Sequence, residues 1–246
     1  MLARTTVPHW LKSLASRFPH RVQQELKRVR FWRQLRAGTF ATAEPEYARL
    51  GDWIFEGDWV VDVGANVGHY TVRLSQLVGA RGRVLAFEPV PETFELLAAN
   101  LAFVGAHNVS LFNVAVSAKS AVMPLSIPHF PSGLANFYCA GLTSTSPWPT
   151  NPEDDFTVLT LPLDALVIPQ RVTLVKLDVE GHELSALRGM EQLLRRDQPR
   201  LIVESATGDI CRFLGDLNYE SLQLSGSPNR VFFVTGRDAQ GQRESH

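Results

Sequence analysis

The chain has 246 residues, 45% of them hydrophobic and 20% charged, with a formal net charge of −1. That balance suits one large α/β domain with a sizeable core and excludes a global electrostatic bias toward nucleic acid. No apolar run approaches the ~18 residues of a membrane span, and the N-terminus lacks the continuous apolar core of a signal peptide. Cys139 and Cys211 are far apart and show no metal-binding spacing. A reduced, cytoplasmic setting is therefore expected.

The charge is unevenly placed. Residues 1–40 hold Arg4, Lys12, Arg17, Arg21, Lys27, Arg28, Arg30, Arg33 and Arg36 against Glu25 alone. The spacing predicts helix over 8–36, interrupted at Pro19, with Trp10, Leu14 and Phe18 on one face. Val22, Leu26 and Val29 form a second apolar stripe that needs a cover. A further amphipathic stretch, 45–56, turns Tyr47, Leu50 and Ile54 inward. Gly57-Asp58 then leads into a strand at 59–63, a helix at 67–78 and a strand at 83–87. Pro89-x-Pro91 opens a helix at 91–103, and a third strand lies near 109–113. Val122–Ile127 and Phe156–Leu161 read as two extra strands that pair. The turn-rich segment between them, 128–155, carries Phe130, Phe137, Tyr138 and Trp148. A segment that long is expected to be functional, here as a lid over an acceptor. Strand 172–177, helix 182–195, strand 200–204, helix 208–217 and a terminal hairpin near 220–224 and 230–234 complete the series. Such alternation calls for a doubly wound, mainly parallel sheet with an antiparallel terminal strand. The expected organisation is a basic helical extension at 1–44, one domain at 45–238 and a polar tail at 239–246.

One segment carries the binding chemistry. Val60-Val61-Asp62-Val63 is an apolar run ending in Gly64-Ala65-Asn66-Val67-Gly68. That is a buried strand, a tight turn and a helix N-terminus, the place where a doubly wound sheet holds a nucleotide-like ligand. The following strand ends in Glu88, which can accept hydrogen bonds from both ribose hydroxyls. A dinucleotide fingerprint needs G-x-G-x-x-G so that the backbone can approach a pyrophosphate. Here the glycines are spaced Gly64-x-x-x-Gly68. S-adenosylmethionine has no phosphate. Asp62 suits its cationic methionine end, directly or through water, and the amides of Ala65 to Gly68 can meet its carboxylate. This spacing favours S-adenosylmethionine over a nicotinamide cofactor.

A second cluster, Lys176-Leu177-Asp178-Val179-Glu180-Gly181-His182-Glu183, follows strand 172–177. It falls beside the expected crevice, facing the methyl donor. Transfer to a hydroxyl needs in-line positioning and benefits from a base. His182 has the intrinsic pKa for that role, and Asp178 and Glu180 can orient the hydroxyl or take its proton. Glu183, in the first helical turn, reads as a cap. Asp178, Glu180 and His182 also offer donors suited to magnesium, though their closeness in sequence does not guarantee convergence, and no metal ligand is assigned.

Together these motifs resemble the FkbM family of S-adenosylmethionine-dependent methyltransferases. The resemblance is carried by Val61–Gly68 with Tyr70-Thr71, Phe87-Glu88-Pro89, Asn113–Ser117, Leu163-Asp164, Lys176–Glu183 and Leu201–Glu204. It implies a class I methyltransferase (Rossmann-like) fold and O-methylation of a sugar, glycan or secondary-metabolite hydroxyl. By position it implies that Asp62, Gly64, Asn66 and Gly68 line the methionine end and that Glu88 holds the ribose. Asn113 and Ala115 would lie near the adenine, and Asp178 to His182 near the acceptor. The competing classes are a nicotinamide-dependent dehydrogenase and a nonenzymatic binding protein led by the basic N-terminus. The expected partner is a small-molecule or glycan acceptor, not nucleic acid. The N-terminal helices are candidates for contact with a membrane surface or a second copy.

Overall fold

The computed structural model of the protein describes residues 19–127, 141 and 156–235. The elements run α1 (His20–Arg36), α2 (Pro45–Trp53), β1 (Trp59–Val63), α3 (His69–Val78), β2 (Arg83–Phe87), α4 (Pro91–Val104), β3 (Val109–Phe112), β4 (Ala115–Val116), β5 (Ala121–Leu125) and β6 (Phe156–Leu161). After a 3₁₀ turn at Leu163–Ala165 come β7 (Val172–Leu177), α5 (Glu183–Arg188), α6 (Glu191–Asp197), β8 (Arg200–Glu204), α7 (Gly208–Asp216), β9 (Glu220–Gln223) and β10 (Asn229–Phe233).

Seven strands form one sheet in the order β3-β2-β1-β7-β8-β10-β9. The first five are parallel. β10 runs antiparallel to both β8 and β9, as expected of the terminal hairpin. The chain winds outward from β1 in one direction, then returns to lay β7 against β1's other edge. That reversal puts the carboxyl ends of β1 and β7 side by side, with Asp62 opposite Lys176 and Val63 opposite Leu177. A crevice opens at such a point because successive crossovers leave on opposite faces. β4, β5 and β6 make a separate small sheet, in which the two expected extra strands pair antiparallel.

Side-chain alternation divides the core. Val61, Val63, Val175, Leu177, Leu201 and Val203 pack on one face with Leu187, Leu194 and Leu214 from α5, α6 and α7. Val60, Leu174 and Ile202 pack on the other with Leu74, Leu97 and Leu50 from α3, α4 and α2. A strand buried on both faces must be apolar at both parities, which is why β1 and β7 read as near-continuous hydrophobic runs. Asp62 and Lys176 interrupt those runs at the parity that faces α3 and α4.

Two expectations change. The helix expected over 182–195 is broken into α5 and α6. A Cβ on Gly189 would lie 2.0 Å from the carbonyl oxygen of Ser117, so the chain presses onto its neighbour there. The new N-terminus is capped from a distance, the Asp164 carboxylate accepting the amides of Gln192 and Leu193 at 2.9 Å each. This gives the Leu163-Asp164 motif a structural role. The face by which α1 packs also differs: among the described residues Val22, Leu26 and Val29 are 41%, 51% and 41% exposed. It is Phe31, on the opposite side of α1, that enters the core. The rest of the first helical stretch, the tail and nearly all of segment 128–155 lie outside the described residues. Gly141 alone is seen there, exchanging two backbone hydrogen bonds of 3.1 Å with Ser126.

Candidate active site

The turn after β1 is shaped by left-handed backbone at Gly64, Asn66 and Gly68. Gly64 has φ +76, and a Cβ there would lie 1.7 Å from the carbonyl oxygen of Asp178. Only glycine lets the β1 turn sit against the end of β7, where the Asp178 amide donates to the Val63 carbonyl at 3.0 Å. Asn66 tolerates its positive φ because its own side-chain oxygen accepts the next amide, from Val67, at 2.8 Å. Its backbone N–H donates to Glu88 Oε2 at 2.8 Å, while Val90 N–H donates to Oε1 at 2.9 Å. Glu88 is thus locked between the two strand-end turns.

A single cleft is lined by Gly64, Asn66, Glu88 and Ala115 on one side and by Asp178, Glu180, His182 and Glu204 on the other. The remaining expected binding residues lie elsewhere. Asp62 is not on the wall. Its parity points it under α3, where it is 1% exposed and accepts a 2.6 Å hydrogen bond from the Thr71 hydroxyl. Ala65 and Gly68 belong to the turn but do not line the cleft. Gly68 caps α3, and a Cβ on it would meet Leu97. Asn113 donates its amide to the carbonyls of Glu88 at 2.8 Å and Pro89 at 3.1 Å, so it braces the wall.

The acidic side is held by one buried cation. Lys176, 1% exposed, lies 3.2 Å from Asp178 Oδ2 and 5.1 Å from the Tyr70 ring centroid. Burial alone would pull its ammonium down, but Asp178, Glu44, Asp62 and Glu204 together hold it above its ordinary value. Burial likewise works against the Asp178 carboxylate, yet Lys176 and a hydrogen bond from Glu204 keep it below the usual range. Glu204 is correspondingly pushed up by that hydrogen bond and by burial. The two carboxyls share one proton, with the charge resting on Asp178. Desolvation, then Asp178 and Glu183, lifts Glu180 to about 7. Desolvation also lifts Glu88 to about 7 and Asp62 to about 6.

His182 lines the same cleft but is tied to its β4 side. Its ring bonds Ser117 Oγ at 2.9 Å, and burial lowers its pKa, so it is a neutral imidazole. Oxygens of Asp178, Glu180 and Glu204 lie within 4.8 Å of one another and are the donors that could surround a cation. This is not the set expected from sequence, since Glu204 replaces His182. Lys176 already supplies positive charge to the group. Glu183 caps the turn, accepting the Gly181 amide at 3.0 Å.

Glu204 and Lys176 stand in the motifs noted from sequence, but sequence reasoning gave neither of them a role. Glu204 had a usable signal: like Glu88 and Asp178 it is a carboxylate closing an apolar strand. Lys176 showed the converse, a charge within such a strand, explicable only once Asp62 is seen beside it.

Strand order, the reversed β10 and the crevice between β1 and β7 define the class I methyltransferase fold. The crystal structure of an FkbM methyltransferase from Methylobacillus flagellatus KT shares that fold, with a TM-score of 0.54 at 19% identity over 76% of this chain. The match spans only 46% of that larger chain. Residues 62–221 match the methyltransferase FkbM domain. The hexuronic acid methyltransferase AglP of Haloferax volcanii is 31% identical over 192 residues, 74% of this chain and 71% of that protein. Methyltransferase 1 of Beauveria bassiana is 25% identical over 175 residues, 65% of this chain and 68% of that protein. The chain belongs to the FkbM methyltransferase family, and the protein is a methyltransferase.

Proposed function

We propose that the protein transfers the methyl group of S-adenosylmethionine to a hydroxyl of a sugar-containing acceptor. The observation that carries this reading is the composition of the cleft wall. Glu88, Asp178, Glu180 and Glu204 contribute four carboxyl groups, and the described lining includes no lysine or arginine. Such a wall disfavours a pyrophosphate and with it a nicotinamide dinucleotide. It suits a ligand bearing a sulfonium and an ammonium.

The residues fit that cofactor. Each oxygen of Glu88 accepts one amide and keeps a lone pair for a ribose hydroxyl. Gly64 and Asn66 line the methionine end, but the amides of residues 64–68 already donate within the fold, so the turn meets that end by shape and not through free N–H groups. Ala115 offers an apolar surface to the base. Bound there, the cofactor supplies an electrophilic methyl group. The acceptor oxygen forms its bond to carbon as the carbon–sulfur bond breaks, and the hydroxyl proton must leave. Glu180, poised near neutrality, receives it. Asp178, kept ionised by Lys176, orients the hydroxyl, and Glu204 holds Asp178 in place. His182 stays with Ser117 and fixes the turn that carries Glu180. Metal is not required by this scheme, since Lys176 compensates the cluster.

AglP is named for hexuronic acid, and sugars of that class are the first acceptors to try. The test is incubation with methyl-labelled S-adenosylmethionine and a panel of neutral and uronic sugars, followed by mass spectrometry and mild alkali. An alkali-stable ether supports the reading. An alkali-labile ester places the methyl on an acceptor carboxylate, which needs no base, and removes the role given to Glu180. Absence of measurable affinity for S-adenosylmethionine overturns the cofactor assignment itself.

A further inference from the structure

Helix α1 has two apolar faces, and the fold uses one of them. Phe31 is 4% exposed, in the same buried cluster as Phe40, Leu50 and Leu74. Trp32 stacks on Phe103 of α4, ring centroids 5.3 Å apart. Val22 lies nine residues from Phe31, half a turn round the helix, and Leu26 and Val29 follow it at helical spacing. All three are exposed. Beside them stand exposed Arg21, Arg30, Arg33 and Arg36. Glu25 is the helix's one acidic residue and is paired with Arg28 at 2.9 Å.

We propose that this outward face docks the enzyme on an anionic lipid surface, with α1 lying in the headgroup plane. An apolar strip between arginines meets both layers of such a surface. The Val and Leu side chains reach the acyl boundary, and the guanidinium groups stay among phosphates. No helix of the described residues is long and apolar enough to cross a membrane, so α1 lies on the surface. Its 17 residues give a contact about 25 Å long.

Charge decides against the other occupants. A second copy pairing this face with itself would set arginine against arginine. Residues 1–18 add Arg4, Lys12 and Arg17 and no carboxylate, so they cannot neutralise the face. Nucleic acid would neutralise it but would leave Val22, Leu26 and Val29 in water.

The test uses the full chain and vesicles of phosphatidylcholine alone or mixed with phosphatidylglycerol, read by flotation. Binding is expected to the mixed vesicles only, falling as salt rises. Arg30→Gln and Arg33→Gln should each weaken it roughly fivefold. The triple variant Val22→Ser, Leu26→Ser, Val29→Ser should lose it while its calorimetric affinity for S-adenosylmethionine stays unchanged. Equal binding to neutral vesicles, no vesicle binding at all, or full retention in the triple variant overturns the proposal. So does duplex RNA binding that survives the serine substitutions, or a dimer that those substitutions dissolve.

Discussion

Glu88 joins two tasks in one side chain, bracing Asn66 and Val90 while facing the cleft. Glu88→Gln keeps the shape but removes the charge and one acceptor. Affinity for S-adenosylmethionine should fall by about 1.5–3 kcal/mol, measurable by calorimetry. Undiminished affinity would leave Glu88 a brace alone. The same carboxyl, with Asp62 and Glu180, has a folded-state pKa raised by burial. A raised carboxyl contributes stability that is fully present below its unfolded value and is lost as pH rises through the folded one. The free protein should therefore melt at a lower temperature at pH 8 than at pH 5, the decline from these three groups running from their ordinary carboxyl values up to about 6 for Asp62 and about 7 for Glu88 and Glu180, with Glu204, raised to about 9, extending it further. Glu88→Gln should flatten that decline in scanning calorimetry. Lys176→Met leaves Asp178 and Asp62 without their cation. Stability should drop by roughly 3–5 kcal/mol, and the acid limb of the pH–rate profile should move to higher pH as Asp178 loses its stabiliser. A profile that does not move would separate Lys176 from the chemistry.

At the level of elements, β1 and β7 form a seam that tolerates little added volume. Gly64→Ala places a methyl group inside the carbonyl of Asp178 and forces an L residue to φ +76. It should abolish cofactor binding, and residual melting at a lowered temperature would show the sheet surviving the lost site. Asp164→Ala removes the cap of α6 and should cost about 0.5–2 kcal/mol by denaturant titration, with turnover little changed. These two positions show what was legible in the sequence. Strand ends, glycine turns and the Asp178 cluster announce themselves because each joins an apolar run to a residue the run does not need. The break at Gly189 does not, because the contact that demands it comes from Ser117, more than seventy positions earlier. Nor was the outward face of α1 legible: two apolar stripes on one helix look alike until a partner helix selects one. The burial of Asp62 beside Thr71 is hidden for a related reason. Sequence shows that a carboxylate ends a strand, but only the sheet shows to which face its parity sends it.

The whole molecule closes late. β10 enters between β8 and β9, and at its first residue the Asn229 side chain donates to Glu44 and Glu46, which flank the start of α2. Glu44 also accepts the hydroxyl hydrogen of Tyr70, the ring facing Lys176. The last strand thus reaches the polar layer around Lys176. A chain still emerging from the ribosome can assemble β1 to β8, yet β8 remains an unpaired edge and the fully buried Glu46 lacks its amide partner until Asn229 has cleared the exit tunnel. Unpaired edges of that kind recruit foreign strands, so nascent or prematurely ended chains should be the form that chaperones hold and proteases remove. Quality control of the nascent chain then hinges on the strand Asn229–Phe233, which follows every cleft-lining residue in the sequence.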